Sequence, residues 1–239
     1  CHNGNSVTNG VVLIFNHEVG HQMTASHTFN RCGETDQLAL GTAYEPGSGN
    51  TILSYAGACG SDNLGVPREA YYHGASLEQM LSFTNSPGSD AYVCAEKVDI
   101  NNFVPVIDLP YENGFFIPKS TPFFLTGSAT DENNDPMTYT WEQFDNLPSV
   151  PLGSPMGNCP LFRSLKDQIN PTRFFPNIQD LLAGRFNLPT ELLPTYGRDL
   201  TFRFIVRDNN PLGNASVWED LKFKVAPNAG PFRLTSPIN

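Results

Sequence analysis

The sequence predicts an α+β protein in which a helix-and-loop segment precedes an all-β sandwich. Three observations carry this. Residues 8–23 hold an apolar run, Val11, Val12, Leu13, Ile14, Phe15 and Val19, behind a candidate cap at Thr8 or Asn9. Residues 28–75 are rich in Gly, Asn and Ser and show no sustained period. From about residue 100 the chain changes to short β segments separated by Pro and Gly turns, a spacing that suits a sandwich.

Taken in order, the first helix is expected to be largely buried, because its apolar residues go almost all the way round. A second short helix is expected at Ser76–Phe83, "SLEQMLSF", with Ser76 as cap and Glu78 in the first turn, and "TNSPGSD" then breaks it. Strands are expected in "FFLTGSATD", "MTYTWEQF", "LTFRFIVRD" and "WEDLKFKV". In the third of these Leu200, Phe202, Phe204 and Val206 face one way. The interval 145–198 is Pro-rich, with one helical turn expected near "IQDLLAGRF"; read as strandless, it is an insertion in a loop. Trp141 and Trp218 are expected in the core rather than on a carbohydrate-binding surface.

The net charge of -10 repels phosphate, which argues against nucleic-acid and anionic-membrane partners. No apolar run is long enough to span a bilayer. Five cysteines without a CxxC pair fit disulfides in an oxidising compartment better than thiolate metal sites; the odd count leaves at least one unpaired, expected to be Cys159, which lies far from the other four. A chain that begins at Cys1 and ends in "APNAGPFRLTSPIN" reads as a piece of a longer secreted precursor, with 229–239 a linker to a further module.

The chemistry is concentrated in "FNHEVGHQMTASH". His17 and His21 are one helical turn apart and project from one face, so both imidazoles can reach a single cation, while Glu18 points to the side, where it can hold a water. His27 follows beyond "QMTAS", which must turn back sharply to bring it to the same ion. Three neutral imidazoles would leave the fourth position of a tetrahedral Zn²⁺ open, as catalytic rather than structural sites do. Taken alone, HExxH also fits a buried helix whose histidines satisfy backbone carbonyls.

The string "HEVGHQMTASH" resembles the metzincin signature HExxHxxGxxH, and "TILSYAGAC" resembles that family's Met-turn; the order and spacing are most similar to the reprolysin-type branch of secreted bacterial peptidases. The resemblance implies the C-terminal half of a metzincin catalytic domain over residues 1–98, with active-site helix, loops and C-terminal helix. It implies a zinc metalloendopeptidase that is secreted or at the cell surface. His17, His21 and His27 would be the zinc ligands, Glu18 the general base, and a protein or peptide the substrate. Tyr55 would lie near the metal, the alternative being a residue packed in its turn with the hydroxyl to solvent. A sheet preceding the helix would come from a missing N-terminal half. Two positions depart from the pattern. Thr24 stands where the family has Gly, which strains a left-handed turn, and Leu53 stands at the Met position with similar volume. The rival reading is a catalytically impaired adhesion or interaction protein whose β-sandwich binds a partner.

Cys32 and Cys59 bracket the loop from the third histidine to the end of the Met-turn-like segment, and Cys1 and Cys94 bracket the whole first part. These are the two expected bridges among the three connectivities that four cysteines allow. Residues 99–228, with the insertion at about 145–198, resemble the Ig-like or cadherin-like modules that follow such peptidases, on "TPFFLTGSATDENNDPMTYTWEQ" and "FIVRDNNPLGNASVWED". Their oxygen donors Glu112, Asp131, Asn133, Asp135 and Asp208 could converge on Ca²⁺, or could be ordinary Asx turns.

Overall fold

The computed structural model describes residues 9–33 and 35–233. Thr8, Cys1 and His2 lie outside them, and with Cys1 the expected Cys1–Cys94 bridge. Helix α1 spans Asn9–Gln22. Only its C-terminal half is packed: Gly20 and His17 are buried, while Val11, Val12, Ile14 and Phe15 are 39–65% exposed. The expected burial of the whole helix is therefore corrected, since no described element covers that apolar side. Helix α2 spans Gly74–Asn85, starting two residues earlier than expected. Its cap is His73, whose Nδ1 accepts from Ala75 N, rather than Ser76, and no acidic residue lies in its first turn. A short α3, Asp90–Cys94, capped by Ser89, follows the predicted break.

The β part is built on a four-stranded sheet in the order β2-β10-β9-β5, with β2 Phe116–Pro118, β5 Thr138–Gln143, β9 Asp199–Arg207 and β10 Ser216–Ala226. The long β9–β10 pair and the β5–β9 pair are antiparallel, and β2 joins β10 in parallel. Three two-stranded ribbons complete it: β1 Val106–Asp108 with β4 Ser128–Thr130, β3 Phe123–Leu125 with β6 Arg173–Phe175, and β7 Asn187–Leu188 with β8 Glu191–Leu192. The interval 145–198, expected to lack strands, thus holds three, together with the expected helical turn at α4, Ile178–Leu182. It also feeds the core: Phe162 and Phe175 pack with Phe123 and Phe202 across from the sheet. Leu200, Phe202, Phe204 and Val206 do face this core together, with Trp141 beside Phe204; Trp218 is half-buried under the Arg203 guanidinium.

The opposite face of β9 is covered as well, by the helical part. Arg203 Nη1 donates to Glu78 of α2 at 2.6 Å and its Nε to Asp220 at 2.7 Å, while Ile205 is fully buried against Gly74. Gly74 is glycine for a steric reason, since a Cβ there would sit 2.6 Å from Ile205 Cδ1 and 2.9 Å from Glu142 Oε2. Gly74 N donates to Glu142 Oε2 at 2.7 Å, so a buried carboxyl of β5 meets the first N–H groups of α2. Asn30, Asn50 and Asp62 add further contacts to the backbone of 146–164. These hydrogen bonds join buried groups of the two parts, although Glu142 Oε1, His73 Nε2, Ser76 Oγ and Asn50 Oδ1 are buried there without a hydrogen-bond partner.

Candidate metal centre

Helix α1 presents His17 and His21 one turn apart and then stops in a turn of defined geometry. Thr24 takes φ 68°, Ala25 N donates to Gly20 O at 3.0 Å, and Thr24 N donates to His21 O at 2.9 Å. This is the Schellman arrangement, with the left-handed residue normally glycine. It reverses the chain, buries Ala25 against Leu53 and Met80, and sends His27 back under the helix. Gln79 of α2 accepts from Ser26 N at 2.9 Å and secures the return.

The three Nε2 atoms converge: His17–His21 at 3.0 Å, His21–His27 at 3.1 Å and His17–His27 at 3.3 Å. Each Nδ1 contacts a backbone carbonyl, His17 that of Ile52 at 2.7 Å, His21 that of Ala25 at 2.8 Å and His27 that of Gln37 at 2.8 Å. A carbonyl only accepts, so each Nδ1 carries the ring proton and each Nε2 offers a lone pair. The three close approaches are therefore not hydrogen bonds. Three lone pairs meeting without a donor repel one another, and a cation between them removes the conflict. With Zn–N bonds of about 2.0–2.1 Å, tetrahedral ligands sit roughly 3.3 Å apart, so the donor set fits zinc. The carbonyls hold the ring orientations as partners behind metal-bound histidines do. His17 and His27 both have pKa values lowered, first by burial, so they stay neutral as ligands must.

Below the imidazoles lies the loop 50–56. Leu53, fully buried, packs against Gly20, where a Cβ would meet its Cδ2 at 3.0 Å, and Leu53 O accepts from Thr28 N at 3.1 Å. A leucine thus packs this loop against the helix that carries His17 and His21. Tyr55 is half-buried, its ring 4.6 Å from that of His27 and 6.0 Å from that of His17; its pKa is raised by burial and then by Glu18. Glu18 is exposed. The Cys32–Cys59 disulfide, Cα atoms 4.7 Å apart, closes the loop as expected, and Cys159 is buried and free. Cys94 is exposed and unpaired among the described residues.

The acidic residues of the β part are only partly brought together. Carboxylate oxygens of Asp131, Asp135 and Asp208 lie within 4.8 Å of one another, but the exposed Glu112 is not in the group. Asp131 Oδ1 accepts from Asp135 N, four residues on, at 2.9 Å and so closes the loop on itself, and Asn133 accepts from Phe103 N and donates to Asn101 O. Asp208 is fully buried and accepts from Ala215 N and Asn102, while Asp135 accepts from Asn210. Protein donors thus reach one oxygen of Asp131, one of Asp135 and both of Asp208, while Asp131 Oδ2 is buried without a partner.

Sequence spacing did not reveal the carbonyl partners of the histidines, nor Glu45, a fully buried carboxylate in the Gly-rich loop. No local pattern marks it, because its four donors come from residues 28, 50 and 51.

Residues 3–83 match the family described as Metallo-peptidase family M12B Reprolysin-like. The match spans the histidine cluster, Leu53 and most of α2, and supports a metallopeptidase family for this part of the chain. Comparison with curated proteins and with solved structures gave no match. Among the described residues no helix is long and apolar enough to cross a membrane.

Proposed function

We propose that the protein is a secreted zinc-dependent metalloendopeptidase. The observation that carries the reading is the triangle of unprotonated Nε2 atoms, each fixed from behind by a carbonyl. His17, His21 and His27 would hold the ion, and Leu53 packs against the helix that carries the first two. Bound there, Zn²⁺ would supply Lewis acidity to a water and to a scissile carbonyl. Glu18, exposed on the helix between the two histidines, takes the water's proton on a carboxylate oxygen and passes it to the leaving amine. Tyr55 keeps its phenolic proton, because burial and Glu18 both raise its pKa, and so can donate to the oxyanion that develops on the carbonyl. No acyl-enzyme is needed. The disulfide supports export to an oxidising compartment.

The test is Glu18→Ala measured on a general protein substrate. This variant should retain zinc and lose hydrolysis by about two to four orders of magnitude, the usual worth of a general base. Turnover unchanged by Glu18→Ala would exclude the mechanism and favour a partner-binding role for the β part.

A further inference from the structure

The geometry points to Glu45 as a positioning residue of the metal centre: a single buried carboxylate sets the register between the backbone that follows His27 and the loop whose carbonyl orients His17. The inference rests on the zinc reading above and names a residue outside the ligand set.

Glu45 has no exposed surface and no ion-pair partner among the described residues. Its four bonds divide between two chain segments. Oε2 accepts from Thr28 Oγ1 at 2.5 Å and from Thr51 Oγ1 at 2.6 Å, and Oε1 accepts from Asn50 N at 2.8 Å and Thr51 N at 3.0 Å. Thr28 directly follows His27, and Thr51 directly precedes Ile52, whose carbonyl holds His17 Nδ1. The Glu45 backbone reinforces the same registration, with Glu45 N donating to Thr28 O at 2.9 Å and Asn30 N donating to Glu45 O at 2.8 Å. Arg68 completes the clamp from the other side of the loop, donating to Ser54 O and Ala56 O.

A buried carboxylate is costly unless its lone pairs are satisfied, and four donors satisfy it here. Its influence runs through the hydrogen bonds it accepts from the two segments. Loosening the clamp would let Thr28 shift relative to Ile52 and turn the His17 and His27 rings away from the point where their Nε2 atoms converge, with all three imidazoles still present.

The experiment compares wild type, Glu45→Gln and Thr51→Val by chelator-competition zinc titration, by the visible spectrum of the Co²⁺-loaded protein and by metal-free melting temperature. Glu142→Gln serves as a control for loss of a buried carboxyl far from the ligands. Glu45→Gln keeps the acceptor for the backbone N–H groups but puts a longer amide bond where 2.5–2.6 Å contacts stood. Thr51→Val keeps the shape and the backbone bonds and removes one hydroxyl. Both should weaken zinc binding about 10- to 100-fold, the range for partners behind metal ligands, and shift the Co²⁺ bands. Glu142→Gln should leave zinc affinity within about twofold of wild type and the Co²⁺ spectrum unchanged, whatever its effect on melting temperature. Wild-type affinity and an unchanged Co²⁺ spectrum in folded Glu45→Gln or Thr51→Val would overturn the positioning role while leaving the zinc reading intact. A wild-type protein that takes up no zinc would overturn both.

Discussion

The His73–Glu142 pair between α2 and β5 makes a quantitative prediction. Both side chains are fully buried, with His73 Nε2 3.5 Å from Glu142 Oε2. Burial holds His73 neutral, lowering its pKa from 6.5 to about 4, and holds Glu142 protonated, raising its pKa from 4.5 to about 7. Arg203 and Arg207 face both groups, with Glu45 acting on His73 and Arg173 on Glu142. For Glu142 the folded state binds a proton that the unfolded state has released between pH 4.5 and 7, so its burial costs more as pH rises. For His73 the unfolded state binds a proton that the folded state refuses between pH 6.5 and 4, so its burial costs more as pH falls. In the wild type the two slopes nearly cancel. Removing one partner exposes the other. At 1.36 kcal/mol per pH unit, the stability of Glu142→Gln relative to wild type should rise by about 2 kcal/mol from pH 5 to pH 7, and that of His73→Asn should fall by about 2 kcal/mol over the same range. Asparagine can keep the cap of α2 and glutamine the acceptor for Gly74 N, so the fold is preserved. Urea unfolding at pH 5, 6 and 7 reads both differences. Parallel profiles for all three proteins would refute the reasoning.

Two further changes test local geometry. Thr24→Gly relieves a β-branched residue at φ 68° without touching the two backbone bonds of the turn, and should stabilise by about 1 kcal/mol; an unchanged or lower melting temperature would mean that the turn takes another shape. Gly74→Ala places a methyl against Ile205 and into the Glu142 bond, and should cost about 2–3 kcal/mol in urea unfolding, whereas a helix-propensity gain alone would give the opposite sign.

What the sequence made legible follows physical range. The histidine spacing encodes a helical face, a local fact, and the return of His27 needs only a turn, which Thr24 supplies despite its Cβ. Cys32 and Cys59 bracket the same loop and pair. The alternation in β9 correctly assigned Leu200, Phe202, Phe204 and Val206 to one side, but gave no sign that Arg203 and Ile205 would be buried on the other. Their cover comes from α2, more than a hundred residues away in sequence. In the same way β6 sits in a Pro-rich interval and becomes a strand only by pairing with β3. Apolar content suggested a buried α1, yet burial depends on a neighbour, and the described elements pack only its C-terminal half. Glu45 is invisible in the sequence because its donors are assembled by the fold, and Glu112, an oxygen donor in a turn, is not brought to the Asp131, Asp135 and Asp208 group.

The central claim is that three lone pairs converge on a metal ion. Elemental analysis of the protein purified at neutral pH without chelator tests it most directly. About one equivalent of zinc in the wild type and in Glu18→Ala, falling to near zero in His21→Ala, is the predicted result, since Glu18 is no ligand and two imidazoles make a weak site. Less than about half an equivalent in the wild type, or zinc retained in full by His21→Ala, would contradict the account.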